Sequence, residues 1–377
     1  MNLRVVMAFA AFAFVSCSSV RPAEEAPLTY QDSGGFFTRP AVDDAGTIYV
    51  GGLDKCFWSI LPDGKLNWKF PVGKTVLSNP VFDRNGSIWF GSDNHYFYNL
   101  STDGALLWKY KTDGPIESGP EVGPDGTIYV ATMNGTVYAF KNRALKWSLQ
   151  MPLGSRRIKF DAVVYTKAGS TYVIVGTEVS GKNNAGLVLI HDTGASGKIV
   201  RTFGKNRRFR IGGTLLGDTL FTSDTETILS ISADLTKLNW EFPVSQVHRS
   251  HPVLSNDGRT VYQGSRADNK LYALDASTGK LRWAYQNGEN IVTTPMVNPV
   301  TGDIYFGDAG GGRHETALKP DGRIRWKTNI GHTVRTQASL SPDSTVVYTG
   351  GNTGIFYAFD AATGKIRWQY DANKNCP

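Results

Sequence analysis

The stretch from Leu271 to Trp283, LYALDASTGKLRW, recurs along the chain and dictates what it can fold into. Related copies end at Trp68, Trp108, Trp147, Trp240, Trp326 and Trp368. Each is an alternating apolar run, a polar turn usually holding Gly, and a short segment closing on Trp. Period-two alternation interrupted by Gly and Asp is the pattern of β-hairpins. The terminal Trp returns after 40, 39, 93, 43, 43 and 42 residues, so the longest interval must hold a degenerate copy. Eight copies at this spacing mark a repeat architecture.

Each unit has a second half upstream. Pro252-Val253-Leu254 runs through Asn256-Asp257-Gly258 into a segment from Thr260 to Gly264, and the pattern repeats from Pro40, Pro80, Pro120 and Pro295. A strand, a turn with Gly where positive φ is cheap, and a second strand make a hairpin. Two hairpins per copy predict an all-β, eight-bladed β-propeller of four-stranded antiparallel blades, a ring that leaves only short strand edges. The Trp residues, with Tyr49, Trp89, Tyr129, Tyr262, Tyr305 and Tyr348, read as packing between blades rather than as a stacking platform for a ligand.

Two blades depart from the pattern. In blade four a polar loop from Glu178 to Gly186 separates two hairpins, and Phe203 is expected at the Trp position. In blade seven, Gly310-Gly311-Gly312-Arg313-His314-Glu315 replaces the apolar start of the third strand. That run reads as a bulge at the strand start, with a small ligand site as the alternative.

The first 17 residues read as an export signal: Arg4 precedes an apolar run from Val5 to Val15, too short to span a bilayer. Its end, Phe14-Val15-Ser16-Cys17, resembles a bacterial lipobox, although Phe14 stands where Leu is usual. The resemblance implies acylation of Cys17 and attachment to the outer membrane; ordinary cleavage near Ser18 is the alternative. Residues 18–35 read as a flexible tether and 36–377 as a single propeller domain. The net charge of +7 points to anionic partners rather than to a fold.

The signature AlD-x-x-TGK-x-x-W, clearest at Ala273 to Trp283 and Ala358 to Trp368, resembles the pyrroloquinoline-quinone (PQQ) type propeller repeat. The likeness spans roughly Phe36 to Tyr370. That repeat family contains both quinone dehydrogenases and scaffolds that bind no cofactor. With the lipobox-like start and comparable length, the chain is most similar to the BamB-like outer-membrane assembly lipoproteins. This resemblance implies an exported, non-catalytic scaffold without a cofactor, partnered by the β-barrel assembly machinery. The alternatives are a binder of an anionic small molecule or glycan at the channel mouth, and a PQQ-dependent dehydrogenase. Against the dehydrogenase, many of those enzymes carry an adjacent Cys-Cys pair that this chain lacks.

Diagnostic chemistry is sparse. There is no Cys-x-x-Cys, His-Glu-x-x-His, Gly-x-Ser-x-Gly elbow or phosphate loop, so no metal or catalytic residue is assigned. Nucleic acid is not expected of an exported chain without an aromatic-interleaved basic motif. One constellation remains. The links from each fourth strand to the next first strand should converge at the channel mouth. They carry Arg39, Arg156, Arg157, Lys159, Arg207, Arg208, Arg210, His248, Arg249, His251 and Arg335, with Lys74 and His332. Opposing acids in these links are Asp113, Glu117 and Glu289. Arg offers forked donors for carboxylate, sulfate or phosphate, so this rim is the expected anion- or partner-binding site. Finally, Cys56 on the link before the third strand of blade one and Cys376 after blade eight should lie at the same end of neighbouring blades. A Cys56–Cys376 disulfide is therefore expected, closing the ring.

Overall fold

The computed structural model describes residues 35–152, 157–159, 161–178, 186–210, 212–247 and 250–374. These form eight four-stranded antiparallel sheets, each in simple sequential strand order. The blades span residues 41–71, 81–111, 121–150, 163–203, 213–243, 253–286, 296–329 and 339–371. First strands of neighbouring blades touch, as between Val163–Lys167 and Gly213–Leu216, so they line the inside of the ring. Second and third strands are buried on both faces, whereas the fourth strand alternates between covered and open positions. This is the expected fold. Cys17 and the tether up to residue 34 lie outside the described residues.

Seven apolar clusters lie at the blade interfaces, most of them filling a single boundary. Five of the eight boundaries use the same device. The fourth-strand Trp packs beside the second-strand aromatic of its own blade, for example Tyr262 with Trp283 at 5.7 Å and Tyr348 with Trp368 at 5.9 Å. Its indole N–H then crosses to the next blade. Trp68 donates to the Thr102 carbonyl (2.8 Å), Trp240 to Ala276 (2.9 Å), Trp283 to Pro320 (3.1 Å) and Trp326 to Ala361 (2.9 Å). The Gly of that neighbouring turn lies flat against the ring. A Cβ on Gly322 would stand 2.8 Å from Trp283, and one on Gly104 would stand 2.7 Å from Trp68. The Gly in the repeat signature is thus required twice, for its positive φ and for the absence of a side chain.

Blade four corrects one expectation. The strand register places Arg201, not Phe203, where the Trp stands elsewhere: Leu189 faces Arg201 as Ala273 faces Trp283. Phe203 instead takes the place of Tyr285. The Arg201 guanidinium donates to the Asp234 carbonyl in the turn of blade five at 2.7 Å, reproducing the indole's hydrogen bond with a different donor.

The seam between blades eight and one repeats the device. Trp368 donates to the Pro62 carbonyl at 2.8 Å and packs on Gly64. The Phe36 N–H donates to Gly351 at 3.0 Å, and the Ser339 hydroxyl donates to Pro40 at 2.6 Å. Both blades hold all four of their own strands, so no strand is exchanged.

Cys56 opens the third strand of blade one and is buried with Tyr370 and Ala372 in the cluster at this seam. Cys376 lies outside the described residues, four beyond Ala372, a reach of ~13 Å if extended. Peptide mapping without reductant is expected to recover Cys56 joined to Cys376. Recovery of the two as separate thiol peptides would rule the bridge out.

A second prediction isolates the seam contact. Gly64 has φ +84° and its Cβ position lies 2.7 Å from Trp368, whereas Gly73 has φ +87° and nothing within 4 Å. Gly73→Ala should cost only the backbone strain, about 1–2 kcal/mol. Gly64→Ala adds overpacking against the indole, worth typically about 1–3 kcal/mol more. Denaturant unfolding of the two variants gives the comparison; equal losses would mean that the indole yields freely.

Candidate functional site

The extended links that enter each blade supply the channel mouth. Along an extended chain residues i and i+2 point the same way, so alternate positions can aim at the axis. Counting back two from the first-strand residue that faces the second-strand aromatic (Ile174 in blade four) gives Arg39, Asn79, Gly119, Asp161, Gly212, His251, Thr294 and Gln337. Counting back four gives Phe37, Leu77, Glu117, Lys159, Arg210, Val292 and Arg335 among the described residues. Twelve of these line one cavity of about 140 Å³, together with Thr293.

The sequence-predicted basic residues divide accordingly. Arg39, Lys159, Arg210, His251 and Arg335 meet in the cavity, contributed by blades one, four, five, six and eight. Arg157 and Arg208 are exposed and do not line it, and neither does Arg207. Arg207 pairs with Glu241 at 2.7 Å and Asp224 at 3.3 Å on the body of blade five. Arg156, His248 and Arg249 lie outside the described residues. His332 is buried, with Nε2 2.8 Å from the Tyr357 hydroxyl.

Acids balance the cavity more than the sequence suggested. Lys159 pairs with Glu117 at 2.9 Å, and Arg210 with Glu178 at 2.6 Å. Asp161 accepts hydrogen bonds from the Asn79 amide (3.0 Å) and the Gly119 N–H. Burial raises the Asp161 carboxyl above its ordinary value, against the opposing pull of Gly119, Arg39 and Asn79. Asp161 and Glu178 were missed because one lies just before a strand, which begins at Val163, and the other begins a loop. The signal that finds Asp161 is the count of two before the strand, which repeats in every blade. His251 shares hydrogen-bond contact with Thr294 at 3.2 Å. Burial, then the Arg39 charge, push its imidazole down to about 3, so it is neutral here.

Fold and cavity together define a class: an eight-bladed propeller of PQQ-type repeats with a polar, charge-paired channel mouth. Residues 184–341 and 316–376 match a family described as outer membrane protein assembly factor BamB, covering about half of the chain. The chain belongs to this family. BamB from Moraxella catarrhalis is structurally similar, with a TM-score of 0.64 and 14% identity over 86% of this chain and 94% of that one. The Dos1 propeller is also similar, with a TM-score of 0.69 and 14% identity over 90% of this chain and 95% of that one. No curated protein sequence matches the chain.

His251 has its pKa lowered by folding, so the unfolded chain binds the proton more readily. Stability contributed by the neutral ring is full above the ordinary His value of 6.5 and falls as pH drops below it. In NMR titration the His251 ring should remain neutral across roughly pH 5 to 8, where an ordinary His changes charge. A midpoint near the ordinary value would show that water and Arg39 act otherwise than described.

Proposed function

We propose that this chain is an exported, non-catalytic scaffold, acylated at Cys17, that binds protein components of outer-membrane β-barrel assembly. The observation that carries this reading is membership of the BamB family, supported by the eight-bladed likeness to a solved BamB. The channel charges are in keeping with it. Lys159 and Arg210 are held by Glu117 and Glu178, which makes them braces between links.

The size of the channel mouth supports a reading without the PQQ that the repeat's name suggests. A cavity of about 140 Å³ is well below the roughly 300–1,000 Å³ usual for sites of cofactor size. In this reading the protein works without a cofactor.

Crosslinking in native membranes followed by capture of the tagged full chain tests the scaffold reading. Recovery of barrel-assembly components above an unrelated lipoprotein control is expected, and Cys17→Ala should release the protein from the membrane fraction. Capture without such components would overturn the assembly role.

A second reading has its own observation: four cationic side chains, Arg39, Lys159, Arg210 and Arg335, against two acids in one small cavity. That excess suits a small carboxylate or phosphate, bound by forked donors. Citrate or phosphate at fixed ionic strength should raise the melting temperature, and Arg39→Gln with Arg335→Gln should abolish the rise. An equal rise in the double variant would remove this reading.

A further inference from the structure

Blade seven carries an acid where the repeat requires an apolar side chain. The residue facing the last position of the second strand is Phe57, Phe97, Val137, Leu271 and Phe356 in blades one, two, three, six and eight. In blade seven it is Glu315, facing Gly307. All six side chains are fully buried. Both Glu315 carboxyl oxygens lack a hydrogen-bond partner.

Its surroundings are those of its apolar counterparts. A Cβ on Gly307 would stand 3.2 Å from Glu315 Oε2 and 2.2 Å from Val334 Cγ1, which places the carboxyl beside the buried Val334. Phe57 stacks on Phe90 of the next blade at 4.0 Å. The position equivalent to Phe90 in blade eight is Thr349, which faces Tyr357 as Phe90 faces Tyr98. The Thr349 hydroxyl is already given to the Thr336 carbonyl, at 3.3 Å.

Among the described residues, no neighbouring cation is paired with Glu315. Arg313 donates to the Gly331 carbonyl, and Lys327 to Asn287. His332 is engaged with Tyr357. The remaining groups add negative charge. Asp308, fully buried, accepts from the His314 N–H at 3.0 Å with its other oxygen 3.4 Å from the His314 ring. Glu289 lies along Gly310, Gly311 and Gly312, where any Cβ would crowd it. Those glycines, singled out in the sequence, make room for Glu289; the left-handed conformation is not what they supply. Among the described residues, no three acids, His or Cys are grouped to hold a metal ion.

We propose that Glu315 is a proton-operated latch between blades seven and eight. Neutral, it completes the interface as Phe or Leu does elsewhere; ionised, it places an unpaired charge there and loosens the contact. Burial first, and then repulsion from Asp308, hold its carboxyl well above the ordinary 4.5. Folding therefore takes up a proton, and stability falls as pH rises past the ordinary value until the folded value is reached. An interface that loosens with pH gives the ring one boundary that opens before the others.

The test compares the full chain with Glu315→Gln, which keeps size without charge, and Glu315→Leu, which copies blade six. Unfolding equilibria are measured from mildly acidic to mildly alkaline pH. Relative to both variants, the wild type should lose up to about tenfold in its folding equilibrium per pH unit across the window. At neutral pH an infrared band of a protonated buried carboxyl should be present in the wild type and absent from the Gln variant. Parallel pH profiles with no such band would overturn the latch. Wild-type stabilisation by calcium or magnesium that vanishes in Glu315→Gln would overturn it too, in favour of a cation site. The Leu variant keeps the comparison decisive where the Gln variant fails to fold.

Discussion

The ring depends on one contact made over and over: an indole N–H reaching from the outermost strand to a turn carbonyl of the next blade, with a glycine pressed against the ring face. It joins apolar burial to a directional hydrogen bond, so it sets distance and angle together. Burying the indole without a partner for its N–H would forfeit part of the gain, because an unsatisfied buried donor costs about 1–3 kcal/mol. Blade four shows one way the contact can be varied. Arg201 keeps the donor and the carbonyl while giving up the aromatic surface. The boundary there is covered instead by the cluster of blades three to five, with Phe203 packed against it.

Most of this could be read in the sequence, because a repeat states its rule several times. Blade number, strand order and the packing role of the aromatics all follow from period and alternation. Arg201 was misread for a local reason. The eye aligns Phe203 with Trp because both are aromatic, whereas counting forward from Gly197-Lys198, as from Gly279-Lys280, arrives at Arg201 and Trp283. The channel mouth was half legible. That the links converge follows from topology, but which side chains face inward depends on phase along each link. Arg207 and Arg210 are three apart, and only the second has the right phase.

The two sets of polar groups in the ring behave differently. At the channel mouth, several charges find a partner on another segment: Lys159 with Glu117, Arg210 with Glu178, Asp161 with Asn79. Such pairs hold adjacent links in position across the axis. Inside blade seven the opposite holds: Glu315 is buried beside Val334, and among the described residues no donor satisfies it. A buried polar group without a partner is rare in native interiors and calls for an explanation. Pattern reading offers a bulge or a small ligand site at that position, since nothing in the period says that a carboxylate faces Val334.

The seam has a consequence for how such a chain can change over time. Because Trp368, Pro62 and Gly64 repeat across blades eight and one what four of the linked pairs do, the ring is closed by geometry and needs no special joint. A closed ring of identical wedges admits only a whole number of them, each subtending its share of the circle. Adding or deleting a single blade would alter the wedge angle at every boundary at once, so blade count is locked while blade content is free. Variation is then channelled into individual sectors, as in the altered fourth and seventh blades, and the circle tolerates it because the other boundaries keep their shape.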